Sequence, residues 1–294
     1  AYDIASCLVG SEMCIRDSVW VNGVKVGNHS GGYTPFTFDI TSALVKGDNR
    51  LTVRVSDPTD QGIQPRGKQV RRPEGIWYTS VSGIWQTVWL EPVPEHSIYY
   101  LRVTPDIDRR ILSVEVSTES KGVVQVEVSA GGKTVSSSRS LCGQRIEVPM
   151  PADMLLWSPE NPFLYDLSIS LWEGNRCVDR VKSYAAMRKY SVKRDESGIV
   201  RLQLNNQDLF QFGPLDQGWW PDGLYTAPTD EALLFDIKKT KDWGFNMIRK
   251  HVKVEPARWY YHCDKEGILV WQDMPSGDHG SVSYTHLRAH ETRG

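Results

Sequence analysis

The stretch from Gly213 to Gly277 constrains the fold more than any other, because apolar runs alternate there with amphipathic, capped segments. Leu209–Phe212 is a short apolar run closed by Gly213-Pro214 and predicts a strand. Thr229 stands where a helix N-cap belongs, and Asp230 and Glu231 follow in a first turn where negative charge suits the helix dipole. Ala232, Leu233, Phe235, Ile237 and Trp243 then predict an apolar helix face, ended by Gly244. Phe245–Arg249 reads as a second strand. Pro256 opens a second helix, carried by Trp259, Tyr260 and Cys263 to Gly267, and Ile268–Trp271 reads as a third strand. Such alternation predicts parallel strands with right-handed crossovers, and in such sheets chemistry gathers at the carboxyl ends of the strands. The polar residues at those ends are Asp216, Arg249, His251 and Asp273, with Trp219, Trp220 and Trp271 nearby. These seven are the candidate substrate-binding residues.

Upstream the pattern changes to period two. Val19-Trp20-Val21 and Val24-Lys25-Val26 flank Asn22-Gly23, a two-residue hairpin signal. Phe36, Phe38 and Ile40 alternate with polar residues, as do Leu51, Val53 and Val55, so this region predicts half-buried antiparallel strands. From Asp57 to Arg72 the periodicity fades and Lys68, Arg71 and Arg72 cluster, which reads as a solvated loop, with a ligand-contacting loop as the alternative. Trp85 to Leu90 gives a last strand, and Pro92–Glu95 a linker. Ile98–Arg188 is again all-β, with Gly131-Gly132 as a tight turn; strands at this spacing predict an immunoglobulin-like sandwich. Trp157-Ser158-Pro159-Glu160-Asn161-Pro162 forms a rigid turn with a structural role.

The chain has 294 residues and a net charge of −2, room for two or three domains and too near neutral for a nucleic-acid partner. No apolar run approaches the roughly 20 residues of a membrane-spanning helix. The eleven tryptophans suit sugar platforms, but sandwich cores also consume them.

Both ends read as foreign to the rest. Cys7–Asp17 and Val282–Thr292 are encoded by one DNA segment and its reverse complement, a pattern that resembles sequencing-adapter read-through. Residues 1–18 and 281–294 are therefore expected to be non-native and to pack against nothing. On that reading His286, His290 and Glu291 are no metal site, Cys7 and Cys14 drop out, and Cys142, Cys177 and Cys263 have no metal or redox spacing. No metal and no cofactor is expected, and the compartment is left open.

GFNMIRKH…RWYYHCDKEGILVWQDMP resembles the start of the catalytic barrel of family 2 glycoside hydrolases, the β-galactosidase, β-glucuronidase and β-mannosidase group. VWVNGVKVGNHSGGYTPFTFDIT resembles that family's sugar-binding sandwich and SGIWQTVWLEPV its closing strand. The resemblance implies a multidomain β plus α/β chain. A partial jelly-roll would span 19–94, an immunoglobulin-like sandwich 95–188, and the first strands of a (β/α)8 TIM barrel 189–280. It implies a retaining enzyme acting on β-linked glycosides, a galactoside first and a glucuronide second, with two catalytic Glu residues from later barrel strands. Both are expected beyond the end of this chain, so it holds no catalytic residue and is expected to be inactive. Arg249 matches the family's Arg in its GFNxxR block, close to the nucleophile; its other reading is an ion pair with Asp273 or another barrel carboxylate. His251 is offset by one from the position where β-galactosidases carry a His, held here by Val252, and His279 falls where they carry another. The implied partner is a carbohydrate, and the full-length enzyme is a candidate homo-oligomer. The rival from another class is a non-catalytic carbohydrate-binding or structural β-sandwich protein.

Overall fold

The computed structural model describes residues 2–6, 8–9, 17–62 and 64–276. His279, His286, His290, Cys7 and Cys14 lie outside the described residues.

The first unit is built mainly from antiparallel strands, β1 (Tyr2–Ser6), β2 (Asp17–Val21), β3 (Val24–His29), β4 (Phe36–Asp39), β5 (Leu51–Arg54) and β6 (Trp89–Pro92), with one short parallel pair, Gln69–Val70 beside Tyr78–Thr79. One sheet has the order β6-β1-β4 and another β3-β2-β5. The β2–β3 hairpin turns at Asn22 and Gly23, with φ of 52° and 81°, the left-handed pair that a type I′ turn requires. Behind it Val21, Ile40 and Ala43 form a small core.

The described residues among 1–18 do not stand apart as expected. Tyr2–Ser6 pairs with both Trp89–Pro92 and Phe36–Asp39, while Asp17 and Ser18 open the strand that continues through Val21. Backbone pairing explains this: the strand edges of β4 and β6 present N–H and C=O groups that an extended segment satisfies whatever its side chains.

The second unit comprises β7 (Tyr100–Asp106), β8 (Ile111–Ser117), β9 (Val123–Ala130), β10 (Lys133–Leu141), β11 (Ile146–Pro149), β12 (Tyr165–Glu173) and β13 (Arg176–Ala185). They form two antiparallel sheets, β7-β8-β11 and β10-β9-β12-β13, and their inward residues Leu112, Val114, Val124, Val126, Val128, Ile169 and Leu171 make the main core. The alternation read from the sequence is this burial pattern.

A small meander follows: β14 (Tyr190–Arg194), β15 (Val200–Leu204) and β16 (Gln207–Asp208). Then come β17 (Leu215–Asp216), α1 (Asp230–Asp242), β18 (Met247–Lys250), α2 (Ala257–Glu266) and β19 (Leu269–Gln272). The last three strands are parallel, in the order β17-β18-β19.

Three further expectations need correction, two of them in this last unit. The first parallel strand is Leu215–Asp216 and not Leu209–Phe212. Gly213 passes so close to β18 that a Cβ there would lie 1.6 Å from Met247 O, and Asn246 holds Phe210 and Phe212 through its side chain, leaving Phe210 83% exposed. Of the predicted α1 face, Leu233 and Ile237 are buried one turn apart, but Phe235 and Trp243 point to solvent. The 57–72 loop is not solvated throughout: Gln64 to Gly67 are buried. Arg66 and Gly67 donate their backbone N–H groups to Ser276 O at 3.0 and 3.1 Å, and a Cβ on Gly67 would lie 2.5 Å from Val252 O. The loop therefore sits on the carboxyl end of the parallel sheet.

Candidate functional site

The register of the three parallel strands decides which side chains share a face. Leu215 pairs with Arg249 and Arg249 with Trp271, while Asp216 pairs with Lys250 and Lys250 with Gln272. Side chains alternate along a strand, so Leu215, Arg249 and Trp271 share one face and Asp216, Lys250 and Gln272 the other.

The second face lies under the helices. Ile248, one turn of the pleat below Lys250, joins Leu233, Ile237, Trp259 and Cys263 in one core. Lys250 is 1% exposed, its Nζ 4.3 Å from the Trp259 ring centre. It donates to Asp216 Oδ2 at 2.7 Å and to Glu255 Oε1 at 2.9 Å. Burial opposes its charge, but Glu255 and Asp216 outweigh that and hold the ammonium above the ordinary lysine range. Lys253, also 1% exposed, shares the same Glu255 oxygen at 3.2 Å. Burial pushes it below the ordinary range, Glu255 opposing and Lys250 reinforcing.

The first face is closed at one end and open at the other. Met247 and Leu269 pack with Trp157, Ala186 and Leu204, so the amino end of the sheet is plugged by the meander and the middle sandwich. One step towards the carboxyl end, Leu215, Arg249 and Trp271 are exposed. Asp273 follows β19 and gathers the Arg249 guanidinium and the His251 ring. Arg249 Nε donates to both of its oxygens at 3.1 and 3.2 Å, Arg249 Nη2 lies 3.0 Å from Oδ2, and His251 Nδ1 lies 2.7 Å from the same oxygen. Partial burial pushes the Asp273 carboxyl up, but hydrogen bonds from His251 and Arg249 more than reverse this and hold it below the ordinary range. Trp271 donates its indole N–H to Gln211 Oε1 at 2.7 Å.

The seven sequence candidates thus divide. Arg249, His251, Trp271 and Asp273 come together on the open face. Asp216 turns to the helix side, where Lys250 and the Gly218 N–H take its two oxygens. Trp220 packs beside the helix core, its Nε1 buried without a hydrogen-bond partner among the described residues. Trp219 leans towards the first sandwich, stacked on Tyr78 at 4.5 Å and 16° and edge-on to Tyr225. Sequence reasoning did not reach Tyr78, Lys250 or Lys253, and it set Glu255 aside as a residue at the edge of the second helix. Among the described residues no group of three or more His, Cys, Asp or Glu side chains is placed to hold a metal ion. The three described cysteines are free thiols.

Two antiparallel β units lead into a parallel β/α unit whose open carboxyl end carries an Arg–Asp–His cluster and an exposed indole, and the family comparisons fit that order. The model for the sugar-binding domain of glycosyl hydrolases family 2 matches residues 10–94, and the model for glycosyl hydrolases family 2 matches residues 96–188. The chain belongs to glycosyl hydrolases family 2. Over 279 residues it is 28% identical to a β-galactosidase of Halalkalibacterium halodurans, covering 90% of this chain and 26% of that protein. Over 272 residues it is 27% identical to a putative β-glucuronidase of Formosa agariphila, covering 89% and 32% respectively. The chain thus spans about a quarter to a third of the length of these relatives. Among solved structures it resembles in fold an FMN-binding β-glucuronidase from Facaelibacterium prausnitzii, with TM-score 0.74 and 23% identity over 93% of this chain and 42% of that one. A β-glucuronidase from Ruminococcus gnavus in complex with uronic deoxynojirimycin gives TM-score 0.76 and 20% identity, over 94% and 47%.

Proposed function

We propose that the chain is the amino-terminal portion of a retaining glycoside hydrolase acting on β-linked glycosides, with a partial jelly-roll to residue 94, an immunoglobulin-like sandwich to 188 and the first three strands of a (β/α)8 barrel beyond. The observation that carries this is the Arg249–Asp273–His251 cluster on the open face of the parallel sheet, at the end where such sheets do their chemistry. A cation held there favours the ionised form of a nearby carboxylate, and retaining enzymes work with two carboxyl groups about 5 Å apart. Arg249 and His251 bind hydroxyls and steady the nucleophile, Asp273 fixes both, and Trp271 offers a face for stacking. The two catalytic Glu residues come from later strands. A β-galactoside is the first substrate, a β-glucuronide the second. The rival of a non-catalytic binding protein gives no reason for an Arg and an Asp at successive parallel strand ends.

The test is the longer gene product. Sequence downstream of Gly280 should encode five more strand–helix units with Glu at two strand ends, and the product should hydrolyse nitrophenyl β-glycosides with retention at the anomeric carbon. A downstream sequence without those units sinks the proposal.

A further inference from the structure

The loop from Asp216 to Thr226 leaves β17 at its carboxyl end and carries Trp219 and Trp220. Its own backbone bonds are few: Trp220 and Leu224 exchange N–H···O bonds, and Thr226 N donates to Gly223 O. Its two ends are joined by one side chain from outside it. Lys253 Nζ donates to Gly218 O at 2.6 Å and to Tyr225 O at 2.8 Å, and its remaining contact is Glu255 Oε1 at 3.2 Å. An ammonium has three protons, and here all are engaged. The head also lies 4.3 Å from the Tyr225 ring centre and 5.3 Å from that of Trp85. Gly218 completes the fit: at φ 64° it passes so close that a Cβ would lie 2.3 Å from Glu255 Oε1.

Like the 57–72 loop, this loop is a place where the first sandwich meets the parallel sheet. Tyr78 stacks on Trp219, the Tyr225 and Tyr33 hydroxyls lie 3.0 Å apart, and Thr226 Oγ1 donates to Trp85 O at 3.0 Å. Lys253 therefore holds in place the segment that brings Trp219, stacked on Tyr78, to the carboxyl end of the sheet, the end that carries Arg249, His251 and Asp273.

We infer that Lys253 is a positioning residue: its ammonium closes the 216–226 loop against the first sandwich, so that Trp219 and Tyr78 form one aromatic wall of the sugar site. What the wall binds rests on the glycoside reading above; the closing of the loop does not.

Segment-resolved hydrogen exchange on the 294-residue chain tests the closing. Lys253→Met keeps the apolar stem and removes every donor. Two charge-assisted bonds are lost, so amides in 217–226 should exchange at least about tenfold faster, and those of Tyr78 and Thr79 with them. Val123–Ala130 should be unchanged, and Met247–Lys250 should move by less than about threefold. Lys253→Arg, which keeps cation and donors, should restore most of the protection. The Trp219 indole resonance, assigned with Trp219→Phe, should lose the ring-current shift that Tyr78 imposes, in Lys253→Met alone. Unchanged exchange in 217–226, an unmoved indole, or acceleration spread evenly over β18, β19 and both helices overturns the inference.

Titration with methyl β-galactoside and methyl β-glucuronide tests the wall. Weaker binding by Lys253→Met than by wild type supports it; a freed loop with unchanged sugar affinity overturns it. Absence of binding by the wild-type chain counts against the glycoside reading, while the exchange data still decide whether Lys253 closes the loop.

Discussion

Neutralising Asp264 should uncouple the parallel sheet from the middle sandwich. Asp264 lies on α2 and is buried. Its Oδ1 accepts from Arg188 Nη1 at 2.5 Å, its Oδ2 from the Tyr184 hydroxyl at 3.0 Å, and its backbone carbonyl from Trp157 Nε1 at 2.7 Å. All three donors belong to the middle sandwich or its exit. Asp264→Asn keeps the shape and the carbonyl but removes the charge, leaving the Arg188 guanidinium buried 4.6 Å from the Trp157 ring centre with a neutral amide as partner. The side chains are only 13% and 9% exposed, so solvent screens little. Removing one partner of a buried ion pair costs about 3–5 kcal/mol. At 1.4 kcal/mol per decade that multiplies the local opening constant by roughly a hundred to a few thousand. Native-state hydrogen exchange resolved by segment reads this directly. α2 and β19 should accelerate by that factor while β9 and β12 hold. Tyr184→Phe, which removes one bond and no charge, should cost only about 1 kcal/mol. If Asp264→Asn leaves α2 within about threefold of wild type, or β9 accelerates equally, the clamp does not join the two units.

The purified 294-residue chain should not turn over nitrophenyl β-glycosides above background, because Glu255 is buried and bonded to two lysines and Asp273 is already paired; turnover abolished by Glu255→Gln would refute this. Gly213→Ala should destabilise the parallel unit by about 3 kcal/mol or more, since its Cβ would meet Met247 O at 1.6 Å, and a melting temperature equal to wild type would contradict the close approach. Alkali should loosen the junction of the first sandwich and the parallel sheet. Burial pushes the Tyr33 phenol up to about 12 and Tyr225 up as well, so the folded state keeps protons that the unfolded chain releases. The stability these groups lend is complete below the ordinary tyrosine value near 10 and is lost as pH rises through the folded values. Denaturant unfolding across that range, compared with Tyr33→Phe, checks the sign.

Local signals were legible where a single residue's chemistry decides the geometry. Thr229 caps α1 by accepting from Ala232 N at 3.1 Å, and Gly267, at φ 79°, ends α2. Gly131 and Gly132, both at positive φ, turn the β9–β10 hairpin. Burial of charge was not legible. Lys250 and Lys253 stand in the sequence like any surface lysines, and only the packing of Trp259 from the next helix and of Tyr225 and Trp85 from more distant segments removes them from water. The same holds for Gln64 to Gly67, whose polar composition argues for solvent until Val252 and Ser276 are brought against them.

The misplacement of Asp216 has one cause. A strand end can be read from sequence, but the face to which each side chain turns depends on parity, and parity depends on where the strand begins. Taking Leu209–Phe212 as the first strand left Asp216 as a residue just past a strand end, free to join Arg249. With the strand at Leu215–Asp216, Asp216 falls in register with Lys250 and not with Arg249, and a shift of one residue is enough to exchange core for site. Arg249 and Asp273 escaped the error because β18 and β19 were misplaced only at their margins, so both still fall on the open face. The acid that organises the open face is therefore Asp273. Asp216 is the anchor of the buried lysines, and replacing Asp216 should disturb Lys250 before it disturbs any ligand.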